Sequence, residues 1–218
     1  MADYTYPKAK DFYNFTAKQQ DSIKFRGKLL LPKRDGCCVK VLYTEDGDVQ
    51  FLSSDDKPLK SFEHLRLMLA PMFLSGDKLI CEAFIPGRSL QYVSGKVRSH
   101  DPQPELCLMV WDARLFMGSA PDTFRTRMSV VKQRVDYLRS SAFTLVPGRV
   151  VGVSPAQVGL TEDELRQQCF AEALDAVRTG IWQSGEATLA GPFDGAILRD
   201  PDEPYTEGRS SGGIIKIK

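Results

Sequence analysis

KLLLPKRDGCCVKVLYTEDGDVQFLS, residues 28–53, is the stretch from which the rest of the chain is read. Val39, Val41 and Tyr43 alternate with Lys40 and Leu42, the period of two that half-buries a strand. Glu45-Asp46-Gly47-Asp48 then supplies turn chemistry, and Val49 and Phe51 resume the alternation. These residues predict a β-hairpin. An apolar run, Leu29-Leu30-Leu31, leads into it through Lys33-Arg34-Asp35-Gly36, so Lys33 stands where a strand meets the hairpin, on a rigid element at a cleft edge.

On the C-terminal side of the hairpin, Phe62, Leu65, Leu69 and Phe73 recur at three and four and predict a helix over 60–74. A second hairpin is expected from Lys78 to Ile85 and Ser89 to Val97, turned at Pro86-Gly87, and then a buried strand from Leu106 to Trp111. Phe124, Met128, Val131, Val135 and Leu138 lay one apolar stripe on a helix starting near Pro121. Thr161 and Glu164 form a capping box for another helix, with Leu165, Cys169, Ala173 and Val177 as its inner stripe and Gly180 as its C-terminal cap. Ala196-Ile197-Leu198 and Ile214 to Lys218 read as strands joined by a Pro/Gly/Ser-rich connection. On the N-terminal side, Tyr4, Tyr6, Phe12, Tyr13 and Phe15 are placed to pin a short helix against a body. Hairpins, then helices, then strands give an α+β fold, and one domain spanning 1–218 is expected, with 1–27 an N-terminal extension packed on it.

The 218 residues are 42% hydrophobic and 26% charged, enough for a sizeable core and against disorder as the main state. Lys and Arg total 29 against 28 Asp and Glu, so no whole-molecule field argues for a nucleic acid or a membrane, and any basic surface is local. No apolar run approaches the roughly 18 residues of a membrane span, and the opening MADYTYPKAK has no export signal. Five cysteines without CxxC spacing or a neighbouring histidine argue against a disulfide framework and a zinc site, and point to the cytoplasm. With only His64 and His100, the sequence argues against a histidine cluster, and a single Ser/His/Asp triad would have to use one of the two, whereas lysine, carboxylate and metal chemistry stay open.

Several short stretches carry that chemistry in order: Lys33-Arg34-Asp35-Gly36, Glu82 on the second hairpin, Trp111-Asp112 ending a strand, Asp194-Gly195 opening one, and Lys216-Ile217-Lys218 closing the last. Each alone has a plain structural alternative: Asp-Gly pairs as turns, Trp111 as core, the late lysines as the polar side of an amphipathic edge strand. Together they resemble motifs I, III, IIIa, IV and V of the covalent nucleotidyltransferases, the superfamily of ATP-dependent DNA ligases, RNA ligases and messenger-RNA capping enzymes. Phe51-Leu52-Ser53 with Lys57 and Glu63-His64-Leu65 is similar to the compact DNA ligases of short-tailed phages. So are the run from Glu82 through Gly87 to Ser94-Gly95 and Arg98, and the tail with Asp200-Pro201, Tyr205 and Gly208.

The resemblance implies an ATP-grasp-like nucleotidyltransferase core of antiparallel sheets flanked by helices, without the OB domain that phage ligases carry beyond this point. It implies a DNA ligase core: Lys33 attacks the α-phosphorus of ATP, leaving lysyl-AMP, and the AMP then passes to a 5′-phosphate at a nick. Asp35, Gly36, Glu82, Trp111, Asp194, Arg199, Lys216 and Lys218 would contact the nucleotide. Trp111 would stack on adenine, Lys216, Lys218 and Arg199 would lie around the phosphates, and Glu82 and Asp194 would hold Mg²⁺ or Mn²⁺. Nicked duplex DNA is the implied partner, gripped by local cations such as Lys24, Arg26 and Lys28. An OB-type domain or protein supplied elsewhere would complete closure, and the chain is expected to act as a monomer in the cytoplasm, the host's if phage-encoded. Cys38 and Ser54 stand where the family carries arginines, Leu31 where it carries a polar reader of adenine, Asp194 where ligases mostly carry glutamate, and Arg199 where they carry lysine. Two alternatives therefore stay open: a capping-type RNA guanylyltransferase, whose motif IV also has Asp-Gly, and a non-catalytic nucleotide- or DNA-binding relative.

Overall fold

A computed structural model describes residues 8–116, 118, 120, 122–184, 187–207 and 213–218. These fold as two compact units, one of residues 35–146 and one of residues 8–34 with 147–218. The expectations resting on Tyr4, Tyr6, Pro121 and Gly208 lie outside the described residues.

The chain enters on β1 (Lys10–Asp11) and a 3-10 turn (Phe12–Asn14) whose Phe12 ring meets Phe25 and Phe170 edge-on, so the expected aromatic pin is present. α1 (Ala17–Ser22) follows, started by a Thr16–Gln19 capping box. β2 (Leu29–Arg34), β3 (Cys37–Tyr43) and β4 (Val49–Ser53) come next, and β3 pairs antiparallel with β4 from Val39↔Ser53 to Tyr43↔Val49, the hairpin expected. The helix expected over 60–74 forms in pieces, α2 (Glu63–Leu69) between 3-10 turns at Lys60–Phe62 and Ala70–Met72. Pro71, which has no backbone N–H, falls in the second turn, just past the end of α2.

β5 (Lys78–Phe84) is the first strand of the second expected hairpin, but its partner is not a strand. Residues Leu90–Val97 are α3. Ser89 is its N-cap, accepting from the Tyr92 N–H, and Val93 and Val97 are buried four residues apart on one face. Pro86-Gly87 therefore leads into a capped helix rather than a hairpin. β6 (Cys107–Arg114) takes in the buried strand expected at 106–111 apart from Leu106 and runs beyond it. α4 (Phe124–Leu138) buries Phe124, Met128, Val131 and Val135 of its predicted stripe, while Leu138 at its end is only half-buried. β7 (Phe143–Leu145) and β8 (Arg149–Val150) are short.

α5 (Glu162–Thr179) has the expected Thr161–Glu164 capping box and the left-handed Gly180 cap. Its inner stripe is Leu165, Cys169, Ala173 and Ala176; Val177, expected there, is 47% exposed. Continuing a four-residue spacing overshoots the 3.6-residue turn, and the position three after Ala173 is the one that faces inward. β9 (Ile181–Ser184) and β10 (Ala187–Ala190) form a hairpin not anticipated, and β11 (Phe193–Arg199) and β12 (Ile214–Ile217) are the late strands that were.

In residues 35–146 the sheet runs β4-β3-β5-β6-β7, antiparallel except for the parallel β6–β7 pair. Val39, Val41 and Tyr43 share a face with Phe51, Leu79 and Cys81; there Phe51 stacks on Phe62 and the Tyr43 hydroxyl donates to the Leu69 carbonyl. The other unit's main sheet runs β1-β12-β11-β2-β8, with β1–β12 parallel and the remaining pairs antiparallel. Leu30, Ala196, Leu198, Ile215 and Ile217 form one core with Leu165, Cys169, Ala173 and Ala176 of α5. Their neighbours in sequence, Leu31, Ile197 and Lys216, are partners in register and hence share the opposite face. The fold is α+β with antiparallel-dominated sheets, as expected.

Candidate active site

Because side chains alternate along β2, putting Leu30 into the core turns Leu31 and Lys33 to the other face. The same argument applied to β12 turns Lys216 and Lys218 to that face while Ile215 and Ile217 go inward. β11 lies between the two strands, and its register shifts between Phe193 and Ala196. Gly195 sits in this bulge at φ +100, and a Cβ there would lie 2.1 Å from the Ile217 carbonyl oxygen. Only glycine lets the end of β12 come so close to β11. The consequence is chemical: Asp194 reaches the amines on both flanking strands.

Lys33 Nζ donates to Asp194 Oδ2 at 2.6 Å, and Lys218 Nζ reaches the same oxygen at 2.8 Å. The side chains are partly open, at 23% for Lys33, 34% for Asp194 and 45% for Lys218. Partial burial pushes the Asp194 carboxyl up, but the hydrogen bonds from Lys218 and Lys33 together with their charges outweigh it and hold it below the usual aspartate range. Lys216 takes part in no hydrogen bond or ion pair among the described residues. Burial lowers its ammonium, the charges of Lys33 and Lys218 lower it further, and Asp194 and Asp11 oppose them. Three amines around one carboxylate leave an excess of positive charge, the electrostatics of an anion site, with a primary amine held beside it. Asp11 is a member that sequence reasoning missed. It is the register partner of Lys216 through the parallel β1–β12 pair, and a two-residue strand leaves no periodic signal.

Arg199 shares this face by register with Leu29 and Ile214, but it is 1% exposed and lies 3.5 Å from Glu203 Oε2. Of the cations expected to meet DNA, Lys24 is exposed. Lys28 pairs with Asp200 at 2.9 Å, and Arg26 donates to the carbonyls of Gly152 and Leu160, so both have roles inside the fold.

The remaining predicted site residues belong to residues 35–146. Gly36 stands where a Cβ would lie 2.4 Å from the Ala83 carbonyl oxygen and 2.8 Å from Glu82 Cγ, so the start of β3 can press against β5 only without a side chain there. Cys38 and Glu82 are register partners. Glu82 pairs in turn with Met109, and alternation along β6 puts Trp111 on the same side, at the bulge between Ile80 and Cys81. Glu82 and Trp111 thus share one face of this sheet, and Gly36 lies against Glu82 where β3 begins. Lys40, also on this face, was not foreseen as special; it is fully buried and pairs with Asp56 at 2.5 Å.

Among the described residues no three His, Cys, Asp or Glu side chains gather as a metal cage. Asp194 in one unit and Glu82 in the other each supply hard carboxylate oxygens, and either alone would suit a magnesium ion completed by phosphate oxygens and water.

No protein-family model matches the sequence, and no curated protein matches it. Solved structures do match in shape. Two called Pmar-Lig_PreS3 and Pmar-Lig_Pre. give TM-scores of 0.73 and 0.74 at 17% identity over 99% of this chain, which spans 46% of their length. The ATP-dependent DNA ligase of bacteriophage T7, in complex with ATP, gives 0.66 at 16% identity over 98% of this chain and 68% of its own. A Lig E DNA ligase, from a study of DNA binding with a minimal scaffold, gives 0.65 at 16% identity over 100% and 69%. The chain thus has the fold of the nucleotidyltransferase domain of ATP-dependent DNA ligases.

Proposed function

We propose that this chain is the catalytic core of an ATP-dependent DNA ligase of the short-tailed phage type, with residues 1–218 as its adenylation domain and 1–27 as an extension packed on it. The observation that carries the reading is the Lys33–Asp194–Lys218 arrangement, in which a strand-borne amine and a terminal-strand amine converge on one carboxylate. The ligase fold supports it.

In the first step the neutral Lys33 amine attacks the α-phosphorus of ATP. An N–P bond forms, the bond from that phosphorus to the bridging oxygen breaks, pyrophosphate leaves, and the amine proton is released. Asp194 orients the amine before attack, and Lys216, Lys218 and Arg199 offset the charge that builds on the α-phosphate and the leaving group. Glu82 and the Asp35-Gly36 turn meet the sugar, and Trp111 offers adenine a flat apolar surface. Asp194 or Glu82 would hold a magnesium or manganese ion, which would further neutralise the triphosphate. The AMP then moves to a 5′-phosphate at a nick, and the 3′-hydroxyl displaces it to join the strands. Nicked duplex DNA is the partner, contacted through local cations including Lys24, with an OB-type domain completing closure over the nucleotide. The chain works as a monomer in the cytoplasm; no helix among the described residues is long and apolar enough to cross a membrane.

Intact mass after incubation with Mg²⁺ and either ATP or GTP tests this, with Lys33→Ala as control. The reading expects one adenylyl group from ATP on the wild type and none on Lys33→Ala. A guanylyl adduct would move the chain to the capping-type transferases, and no adduct with either nucleotide would make it a non-catalytic relative.

A further inference from the structure

β6 is irregular beside one of the predicted site residues, and a buried ion pair stands at the irregularity. Cys81 pairs with Val110 and Ile80 with Asp112, so Trp111 is the extra residue of a β-bulge. Consecutive strand residues ordinarily face opposite ways. Here Trp111 shares the Glu82 side with Met109, and Asp112, as the partner of Ile80, is on that side as well. Closing the bulge would slide Trp111 into the place opposite Ile80. It would also send Asp112 to the side of Leu79 and Val41, both fully buried.

Arg127 of α4 opposes that slide. Its side chain and that of Asp112 are both 0% exposed. Its Nε and Nη2 donate to Asp112 Oδ1 at 3.4 and 3.2 Å, and the same oxygen accepts from the Ala113 N–H at 2.7 Å. Its Nη1 donates to Asp122 Oδ1 at 2.8 Å, just ahead of α4. Burying two charges is costly, and apolar side chains of similar volume often hold a core together as well or better. Cohesion alone therefore does not account for the pair. What it does supply is a fixed register next to a half-buried aromatic ring.

We propose that Asp112 and Arg127 are positioning residues for the base of the bound nucleotide: their ion pair locks the β6 bulge, and the bulge sets where the Trp111 ring stands. A flat ring gains from a base only where the two planes overlap, so a slip by one strand residue, about 3.3 Å, removes most of the contact. That the ligand is a nucleotide rests on the ligase reading; the lock on Trp111 does not.

The test compares the full chain with Trp111→Ala and with the double variant Asp112→Val/Arg127→Met, which replaces the buried charges by apolar groups. Calorimetry reads the binding of α,β-methylene-ATP, whose bridge cannot be cleaved, and of inorganic tripolyphosphate, which has no base. Thermal midpoint and adduct formation with ATP and Mg²⁺, by intact mass, are read beside them. Trp182, the other tryptophan, is 2% exposed, so acrylamide quenching of tryptophan emission reports on Trp111. The double variant is expected to keep its midpoint and to change its quenching. It is expected to bind the ATP analogue at least about tenfold more weakly, as Trp111→Ala does, with tripolyphosphate affinity unchanged. Asp112→Asn, which keeps the shape and the acceptor for the Ala113 N–H, carries the test if the double variant does not fold. Its expected loss is at least about threefold, for the analogue alone. A folded variant that binds the analogue like wild type, or that loses tripolyphosphate to the same extent, overturns the proposal, as does a Trp111→Ala that binds the analogue normally. If the wild type forms no adduct while the double variant loses only the analogue, the ligase reading falls and the lock stands. If adduct forms in the wild type and analogue binding is untouched in the variants, the reverse holds.

Discussion

Asp194 holds two amines at once, and the chemistry proposed for Lys33 rests on that. Removing its charge by Asp194→Asn frees Lys33 to sample other rotamers and leaves three amines repelling one another. The rate of adenylyl transfer to the protein is expected to fall at least about tenfold, with the fold retained, because the bridge is partly exposed and contributes about 1 kcal/mol or less to stability. Quenched-flow mass spectrometry and circular dichroism check the two halves of this statement. The pH dependence has a definite sign. Partial burial raises the Asp194 carboxyl, Lys218 and Lys33 lower it by more, and the net folded value lies below the unfolded one. Its stabilisation is therefore fully present above the unfolded aspartate value of about 3.9 and is lost as pH falls through the lower folded value. The difference in Tm between wild type and Asp194→Asn is expected to be flat from pH 7 to about 4 and to close below it. Lys33, Asp194, Lys216 and Lys218 were legible in the sequence as an ordered set of motifs on strands. Asp11 and Lys40 were not: the first acts through a two-residue pairing with β12, and the second is a lysine that only tertiary packing buries.

At the scale of elements, the signals that read correctly are those whose cause is local. The β3–β4 turn, the α4 stripe and the α5 capping box each carry their reason within a few residues, and Thr161→Ala is expected to cost about 1 kcal/mol in urea unfolding by removing the acceptor for the Glu164 N–H. α3 failed because Pro86-Gly87 reads equally well as a hairpin turn, and the arbiter, burial of Val93 and Val97, is not local. The β11 bulge also escaped sequence reading, since nothing nearby says that Ile217 will lie against Gly195. Gly195→Ala meets both the φ of +100 and the Ile217 carbonyl, and it is expected to cost at least about 2 kcal/mol and to displace Lys218 from Asp194. An intermediate cost with normal adenylylation would show that the bulge relaxes without moving the amine. The buried thiols give a separate check. Burial raises Cys81 well above its ordinary value and takes Cys169 to about 12. Both are expected to alkylate at pH 8 at least about a hundredfold more slowly in the folded protein than in urea, as peptide mapping would show.

For the whole molecule, the apolar run lengths argued against a membrane span and the two histidines against a histidine cluster. Motif order pointed to the nucleotidyltransferase fold, which the solved ligase structures share at 13 to 19% identity. The division into two compact units was not read from the sequence, since no linker composition marks the step at residues 34–35 or 146–147. It separates the predicted site residues, with Lys33, Asp194, Arg199, Lys216 and Lys218 in one unit and Asp35, Gly36, Glu82 and Trp111 in the other. ATP is expected to raise Tm by several degrees in wild type and by less in Trp111→Ala. The most direct measurement of the central claim is peptide mapping, under neutral conditions that preserve a phosphoramidate, of protein incubated with ATP and a divalent metal. The account predicts one adenylyl group, on the peptide that contains Lys33, lost when inorganic pyrophosphate is added back. An adenylyl group on any other side chain, or an unmodified Lys33 peptide in protein shown to bind ATP, would contradict it.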